Sequence, residues 1–378
     1  MLYEIHMLKN YPPSNLNRDE SGSPKTCYFG GTQRGRISSQ CLKRAWRTSE
    51  LFSQAFEKNG IRSRMLPDLV AEELSNRGMA PDMVEAVKLK VTGIANKKGD
   101  EKSELITTQV IFFSSADICA IADMMEEKAK SAGSVEAFKE LKVTVEEKNK
   151  KKEKERKEEV EKRPMSMDIA LFGRMVTSAA FANVEAAVQT ANAISTHTVN
   201  QESDYFSAMD ELLGAEDTGA AMIGDIDYNS SCYYHYIAID TDILAENLKN
   251  SPDVLNLIQK VLPTFVEVMA YADPSGKQNS FAGHVLPELL CVEVKDKKIP
   301  VSYANAFAQP VRFSGRTKLI EESLDKLIGE IDLLDDAFGL EKRHRAWFAP
   351  RIDKTPKNAE TVKTMGELLA KCAAWAKE

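Results

Sequence analysis

Basic side chains recur at close spacing in residues 29–47, FGGTQRGRISSQCLKRAWR. Arg34 and Arg36 flank a glycine, and a second polar group follows at i, i+3, i+4 and i+7: Gln40, Lys43, Arg44 and Arg47. That spacing places the second group on one face of a helix. Guanidinium and ammonium groups bind phosphate oxygens, so the pattern predicts a clamp for a phosphate backbone. An ordinary solvated helix face is the alternative interpretation.

The neighbouring residues favour a clamp at the start of a helix. Gly30 and Gly31 can adopt positive φ and let the backbone approach a ligand closely. Ser38 and Ser39 are good N-caps, and a helix N-terminus presents free N–H groups to an anion. Trp46, on the opposite face, is the expected anchor into a core. The sequence therefore predicts a glycine-rich basic loop followed by a basic helix.

The distribution of charge is more informative than its total. The 378-residue chain has a net charge of −7, which argues against a protein that coats nucleic acid with its whole surface. Residues 9–47 nevertheless carry eight basic and two acidic side chains. The hydrophobic content of 43% is typical of globular proteins, and no apolar run is long enough to cross a membrane. Six scattered cysteines without a CxxC pair indicate no zinc site and favour a cytoplasmic location.

The elements that must position the basic segment indicate an antiparallel α+β fold. Residues 1–9 alternate as a strand that Pro12 and Pro13 are expected to end. Further strands are predicted within 167–173, 184–199, 230–244 and 288–296, and helices within 50–163, at 251–272 with Ser251 as N-cap, at 317–338 and at 361–377. This order is not a βαβα alternation, so the simplest architecture is an RRM-like, or ferredoxin-like, core with an open sheet face for RNA.

No catalytic constellation stands out in the sequence. There is no Walker A loop, HExxH, GxSxG or kinase signature. His197 is the best acid–base candidate, but no carboxylate can be assigned to it by spacing, while His6 and His235 lie in apolar strands and are expected to be structural. Asp204 and Asp210 are irregularly spaced among other acidic residues, as in a solvated loop. We therefore expect no enzymatic activity, metal or cofactor.

Five blocks of the sequence resemble, in order, the CasC-type backbone subunit of the type I-E CRISPR surveillance complex Cascade, in the RAMP superfamily. The blocks are SNLNRDE at 14–20, the basic segment at 29–47, DIALFGRM at 168–175, ISTHTVNQESDYF at 194–206 and PVSYANAF at 300–307. Five ordered blocks are far more specific than one basic helix. Relatives carry a lysine directly after the two glycines, whereas this chain has Thr32 and Gln33, so one expected positive charge is missing.

The resemblance implies a non-catalytic subunit that polymerises along a CRISPR guide RNA and presents the guide for base pairing with target DNA in antiviral defence. It implies an RRM-like palm at residues 1–59, 164–199 and 229–378, a helical fingers insertion at 60–163 and a hairpin thumb insertion at 200–228. The implied partners are guide RNA (crRNA), target DNA by way of the guide, further copies of the chain in a helical filament, and Cascade subunits of the CasA, CasB, CasD and CasE types. No membrane partner is implied.

The resemblance also assigns roles to individual residues. It implies that guide phosphates are held by Ser38, Gln40, Lys43, Arg44 and Arg47, with Arg18, Lys25, Arg34 and Arg36 nearby. Met175 matches a side chain that wedges against bases, and Phe206 matches an aromatic residue of the thumb. Two other functions stay open: a ribonuclease of the same superfamily that acts through His197 or the thumb carboxylates Asp204 and Asp210, and a single-copy RNA-binding adaptor that does not polymerise.

Overall fold

Two structural units make up the chain. The computed structural model describes residues 1–56, 59–95, 107, 109–141, 159–176, 178, 180–208, 222–312 and 316–378. The first unit comprises Met1–Ala55, Val188–Thr241 and Ile258–Glu378, and the second comprises Phe56–Ala187 and Asp242–Leu257. Within these described residues, no helix is both long and apolar enough to cross a membrane.

The described strands and helices are as follows. The strands are β1 (Leu2–Ser14), β2 (Thr26–Phe29), β3 (Thr32–Ile37), β4 (Ile61–Ser63), β5 (Ile111–Phe113), β6 (Val188–Thr190), β7 (Ala193–Ser195), β8 (Glu202–Ala208), β9 (Met222–Asp240), β10 (Leu289–Lys295), β11 (His344–Phe348) and β12 (Glu360–Thr361). The helices are α1 (Ser39–Arg47), α2 (Glu50–Ala55), α3 (Leu66–Asn76), α4 (Pro81–Ala95), α5 (Ser115–Ala132), α6 (Val135–Glu140), α7 (Met167–Phe172), α8 (Thr241–Leu248), α9 (Val254–Tyr271), α10 (Gln278–Phe281), α11 (Arg316–Phe338) and α12 (Met365–Trp375), with a 3-10 helix at Ala304–Phe307.

The first unit is built on one large sheet. Its strand order is β12-β11-β10-β1-β9-β7-β3-β2, and β6 and β8 also pair with β9. The strands β10-β1-β9-β7 stand in the order 4-1-3-2 when they are counted along the chain, and all three pairings are antiparallel. With α1 after the first of these strands and α9 after the third, this is the βαββαβ order of a ferredoxin-like fold. The predicted α+β class with an RRM-like sheet is confirmed.

Both faces of this sheet are covered. On one face, Lys9 of β1 donates to the Ala270 carbonyl of α9 at 2.9 Å, and the Trp46 ring of α1 packs edge-on against Phe265. On the other face, α11 and the 3-10 helix bury a cluster that includes Leu8, Tyr234, Trp347, Phe307 and Leu324. The expectation of an open sheet face for RNA is therefore wrong, because residues 303–331 supply the apolar side chains that cover it.

A network of buried charges lies beneath α11. Glu293 accepts hydrogen bonds from Arg345 at 2.9 Å and from the Tyr303 hydroxyl at 3.0 Å, and Lys295 contacts both Glu293 and Glu4. Burial alone raises the pKa of Glu293, but the charges around it, Arg345 and Lys295 among them, lower that pKa to about 2. Paired in this way, the charged groups can be buried in the sheet core.

The second unit is mainly helical in its described part. Helices α3 to α6 pack around a core that includes Leu74, Val87, Phe113, Met125 and Phe138. The prediction of helices between residues 50 and 163 is confirmed for the described residues of that range. The charged residues 146–158 lie outside the described residues.

Several predicted elements are correct and others are wrong, and the strand predicted at 184–199 is divided into β6 and β7. Helices α1 and α11 and strands β9 and β10 lie where the periodicity predicts them. Residues Met167–Phe172, however, form α7 and not a strand, because a short apolar run fits both periods and all but one of its side chains are buried. Ser251 does not cap α9, which begins at Val254.

Strand β1 continues beyond its predicted end. It includes Pro12 and Pro13 and reaches Ser14. The pairing of β1 with β9 shifts register between Tyr11 and Ser14, so the two prolines fall in an irregularity where their missing N–H groups leave no gap in the ladder. The prolines therefore interrupt the pairing without ending the strand.

Candidate nucleic-acid interface

The segment predicted as a basic loop is a tight β-hairpin. Gly30 and Gly31 join β2 to β3 with φ values of +58° and +78°, as a type I′ turn requires. A Cβ atom on Gly30 would lie 1.6 Å from the Ala308 carbonyl oxygen, so the hairpin tip is seated against the chain just after the PVSYANAF block. Position 30 thus requires a glycine because the backbone of Ala308 packs against it, and not because a ligand approaches it.

Arg34 connects three of the five sequence blocks. Its guanidinium is fully buried and donates to the Ser195 carbonyl at 3.0 Å, to the Phe307 carbonyl at 2.8 Å and to the Thr32 hydroxyl at 2.8 Å. These acceptors belong to the blocks at 29–47, 194–206 and 300–307. The guanidinium donors of Arg34 are used inside the protein, so this geometry does not support the prediction that Arg34 contacts RNA.

The N-terminus of α1 is capped from within the protein. The Ser38 hydroxyl accepts a hydrogen bond from the Cys41 N–H group at 3.3 Å. The N–H group of Ser38 donates to Asn17 at 2.8 Å, and that of Ser39 donates to Asn192 at 2.9 Å. Three N–H groups expected to be free for an anion are therefore occupied, and Ser38 is buried as a cap. Among these first N–H groups, only that of Gln40 has no described acceptor, so side chains would have to supply most of the contacts to an anion here.

Five basic side chains around the hairpin and α1 make no ion pair with a carboxylate of the described residues: Arg18, Lys25, Arg36, Lys43 and Arg44. Arg18 and Arg44 are exposed. The Nε atom of Arg36 is buried without a hydrogen-bond partner, and burial lowers the pKa of Lys43. These charges are thus poorly compensated by the chain itself.

Several lysines elsewhere in the same unit form ion pairs. Lys354 pairs with Asp325 at 2.7 Å, and Lys357 pairs with Asp336 at 2.8 Å. Lys371 pairs with Glu360 at 2.5 Å. These pairs contrast with the five cations around the hairpin and α1, which lie in one short stretch of the sequence and have no described carboxylate partner.

Two cysteine thiols lie close enough to these cations for the positive charges to affect their pKa values. Burial raises the pKa of Cys41, while the positive charges of Lys25 and Arg44 lower it. Burial likewise raises the pKa of Cys27, and Arg36 lowers it. The residue before β2, the hairpin and α1 consequently contribute to one local positive potential.

The exposed face of α1 agrees with the predicted periodicity. Gln40 is exposed and Arg47 is half-buried, while Leu42 and Trp46 on the opposite face are buried. Arg47 also interacts within the protein. Beside this helix, a cavity of about 830 Å³ is lined by the loop between Leu16 and Gly22, α1 and the chain after α9, including Asp273 and His284. Arg18 and Arg44 therefore border a concave surface, which also carries the carboxylates of Asp19 and Glu20.

Met175 projects from the second unit into solvent. It follows Arg174, which donates to Asp117 at 2.7 Å and to the Ala182 carbonyl at 2.9 Å. The Met175 side chain is 94% exposed although it is apolar. Because the preceding arginine is fixed, the methionine is presented in a defined position.

The predicted thumb is a two-stranded hairpin of β8 and the first part of β9, and its residues 209–221 lie outside the described residues. The Phe206 ring lies against Gly224, where a Cβ atom would be 2.6 Å from it, whereas Tyr205 is 66% exposed. Residues 200–228 contain eight carboxylates and no lysine or arginine. Any partner with negative charge would therefore have to meet the rings and apolar side chains of this hairpin, because its sequence offers no cation.

His197 has no free ring nitrogen for catalysis. Its Nδ1 donates to the Thr198 carbonyl at 2.8 Å, and its Nε2 accepts from the Cys232 N–H group at 3.3 Å. Burial lowers the pKa of His197, so the neutral form is favoured. Asp204 is exposed on β8, and Asp210 lies outside the described residues. The part of the chain that the structure describes holds no cluster of three or more ligands suited to a metal ion.

One basic residue escaped the sequence analysis. Arg312 is exposed, makes no ion pair with a described carboxylate and lines a cavity of about 430 Å³ with His197, Asn200 and Glu202. It lies five residues beyond the PVSYANAF block, and this position could have marked it as a candidate site residue. It lies in the sheet unit, as the five unpaired cations do.

Comparison with known proteins gives consistent matches. The model of the CT1975-like protein family matches residues 3–374. A chain of a solved structure named "CRISPR RNA-guided surveillance complex, pre-nicking" is 26% identical, with 100% of both chains covered and a TM-score of 0.84. A chain of a "CRISPR RNA-guided surveillance complex" is 23% identical over 99% of this chain and 100% of that one, with a TM-score of 0.73, and shares the fold. Comparison with curated proteins gives no match.

Proposed function

The chain belongs to the CT1975-like protein family, and on that premise we propose that it is a backbone subunit of a Cascade-type CRISPR surveillance complex, of type I-E. Several copies polymerise along one guide RNA and present it for base pairing with target DNA. The full-length similarity to a chain of an RNA-guided surveillance complex supports this proposal. The sequence blocks that carry the resemblance support it further.

The observation that carries the proposal is the group of unpaired cations: Arg18, Lys25, Arg36, Lys43 and Arg44. A protein with a net charge of −7 has many carboxylates, yet none of the described ones pairs with these side chains. Phosphate oxygens would supply the missing partners. Contacts to phosphates fix position without reading sequence, which suits a subunit that must accept any guide.

Apolar groups would complete the proposed interface. Met175 is proposed to wedge between bases, where the cost of unstacking, about a few kcal/mol per step, is offset by contacts elsewhere. Phe206, with the more exposed Tyr205, is proposed to contact RNA from the thumb. The palm, fingers and thumb keep their expected boundaries as part of this proposal, as do the other Cascade subunits as partners.

The nuclease alternative has less support. Both ring nitrogens of His197 are occupied by backbone groups, so His197 has no role as an acid or base in this conformation. Asp204 is the remaining described candidate, and it stands on an exposed strand without a histidine or metal cluster among the described residues. We therefore propose that the chain is not an enzyme. The single-copy adaptor differs from the proposal in copy number alone.

Copy number is the property to measure. The chain is co-expressed with a CRISPR guide RNA and the neighbouring subunits, and the mass and RNA content of the purified particle are determined. The proposal predicts several copies per RNA and intact RNA. The variant Lys43→Glu/Arg44→Glu should lose RNA and assembly, whereas the control Lys354→Glu should assemble normally. One copy per RNA would favour the adaptor, and RNA cut by the wild type but not by Asp204→Ala would favour the nuclease.

A further inference from the structure

We propose that Tyr28 is a stacking platform for one unpaired nucleobase of the bound RNA, an inference that rests on the proposed function. Tyr28 lies in β2, the edge strand of the sheet. It is the most exposed described aromatic residue of the first unit, at 80%, although its ring is largely apolar. An aromatic ring left open on a fixed strand is suited to the face of a base.

The strand that carries Tyr28 is held rigidly. Its hairpin partner β3 is fastened through Arg34 to the Ser195 and Phe307 carbonyls. The turn is seated on Ala308, as the 1.6 Å approach of a Cβ atom on Gly30 shows. The backbone that carries Tyr28 therefore needs little reorganisation when a ligand binds, which favours stacking on the ring.

The Tyr28 ring shares a side of the sheet with the basic helix. In the β2–β3 register Tyr28 is opposite Gln33, so Tyr28 and Gly35 lie on the same face of the hairpin. Gly35 on that face approaches the Tyr233 hydroxyl, where a Cβ atom would be 2.7 Å away. Tyr233 packs against Tyr11 with ring centroids 6.0 Å apart, and Tyr11 is near the Cys41 thiol of α1. The platform and α1 therefore belong to one face.

The distance to the cations suits a single nucleotide strand. Lys25 lies just before β2, three residues from Tyr28 and about 10 Å away along the chain. Lys25 in turn acts on the same thiol as Arg44 of α1. A strand whose phosphates follow Lys25 and α1 would bring an unpaired base to Tyr28. Because every base has a π-face, such a contact places no demand on the guide sequence.

The test compares binding of a labelled single-stranded guide RNA to the purified full-length chain over a range of salt concentrations. Tyr28→Ala should weaken binding by about fivefold to 150-fold, the range for loss of one stacked base. It should leave the salt dependence unchanged, because no phosphate contact is lost. Tyr28→Phe, which keeps the ring, should bind as the wild type does. Phe338→Ala removes another exposed aromatic residue and should have no effect.

A fluorescent variant tests the same contact directly. In Tyr28→Trp the new indole is exposed, whereas Trp46, Trp347 and Trp375 are buried. Addition of RNA should quench the new emission. Wild-type binding by Tyr28→Ala, an equal loss in Tyr28→Phe, or no quenching in RNA-bound Tyr28→Trp would overturn the platform and leave the proposed function standing. A wild-type chain that binds no guide RNA would overturn both.

Discussion

Two arginines separated by one residue have opposite roles. Arg34 is fully buried with its guanidinium bound to carbonyl groups, whereas Arg36 is half-buried and has no ion-pair partner among the described carboxylates. The acceptors of Arg34 lie 161 and 273 residues further along the chain. Local spacing carries no information about such distant partners, so the sequence predicted one basic loop where the fold separates a structural from a surface arginine.

Replacement of Arg34 should reduce stability in the absence of RNA. Arg34→Lys keeps the charge but loses the planar fork that reaches Ser195 and Phe307, so we expect a loss of about 2 to 4 kcal/mol in the free energy of unfolding. Urea denaturation measures this loss. The matched variant Arg36→Lys should change stability by less than about 0.5 kcal/mol. An Arg34→Lys protein as stable as the wild type would show that the buried guanidinium is not needed.

Among the elements, those with strong periodicity were predictable from sequence. Helix α1 combines a serine cap, a basic face and a buried Trp46, and each of these signals is local. Helix α7 is only six residues long, so its apolar run does not distinguish a helix from a strand. The cover of the sheet by α11 could not be predicted, because an amphipathic helix does not reveal which surface it packs on.

The β2–β3 turn offers a paired test of this packing. In Gly30→Ala the new Cβ atom meets backbone at 1.6 Å, while in Gly31→Ala it meets nothing within 4 Å. Both residues have positive φ, so each alanine carries a backbone cost of about 1 to 2 kcal/mol. Chemical denaturation should therefore show a clearly greater loss for Gly30→Ala. Equal losses would mean that the hairpin tip is not seated on Ala308 in solution.

At the scale of the whole molecule, the buried histidines should make stability depend on pH. Burial lowers the pKa of both His6 and His235 to about 3, whereas an unfolded histidine has a pKa near 6.5. Below pH 6.5 the unfolded chain binds protons that the folded chain does not, so stability is present above pH 6.5 and is lost as the pH falls toward 3. The expected slope is about 1.4 kcal/mol per pH unit for each histidine.

Denaturation between pH 7 and pH 5 measures this slope before most carboxylates titrate. The variant His235→Gln removes one of these groups and should reduce the slope without abolishing it, because His6 and the buried His197 still contribute. A wild-type protein whose free energy of unfolding is constant from pH 7 to pH 5 would show that these histidines are not buried as neutral groups.

The sheet unit as a whole explains how an acidic protein can present a basic surface. Many of the described carboxylates are paired with other lysines and arginines or are used in buried networks. The sequence located the cluster of positive charge correctly between residues 9 and 47. Only the fold separates the exposed members of that cluster, such as Arg18 and Arg44, from Lys9 and Arg34, which are buried.

The role of the unpaired cations is tested most directly by the salt dependence of RNA binding. Binding of single-stranded guide RNA is measured for the wild type, for Lys43→Ala/Arg44→Ala and for the control Lys371→Ala, whose lysine pairs with Glu360. The double variant should bind more weakly, with a salt slope reduced by about 0.7 for each lost phosphate contact, and its thermal stability should be unchanged. If its affinity and slope equal those of the wild type, these side chains are ordinary solvated charges and the proposed guide-RNA surface is wrong.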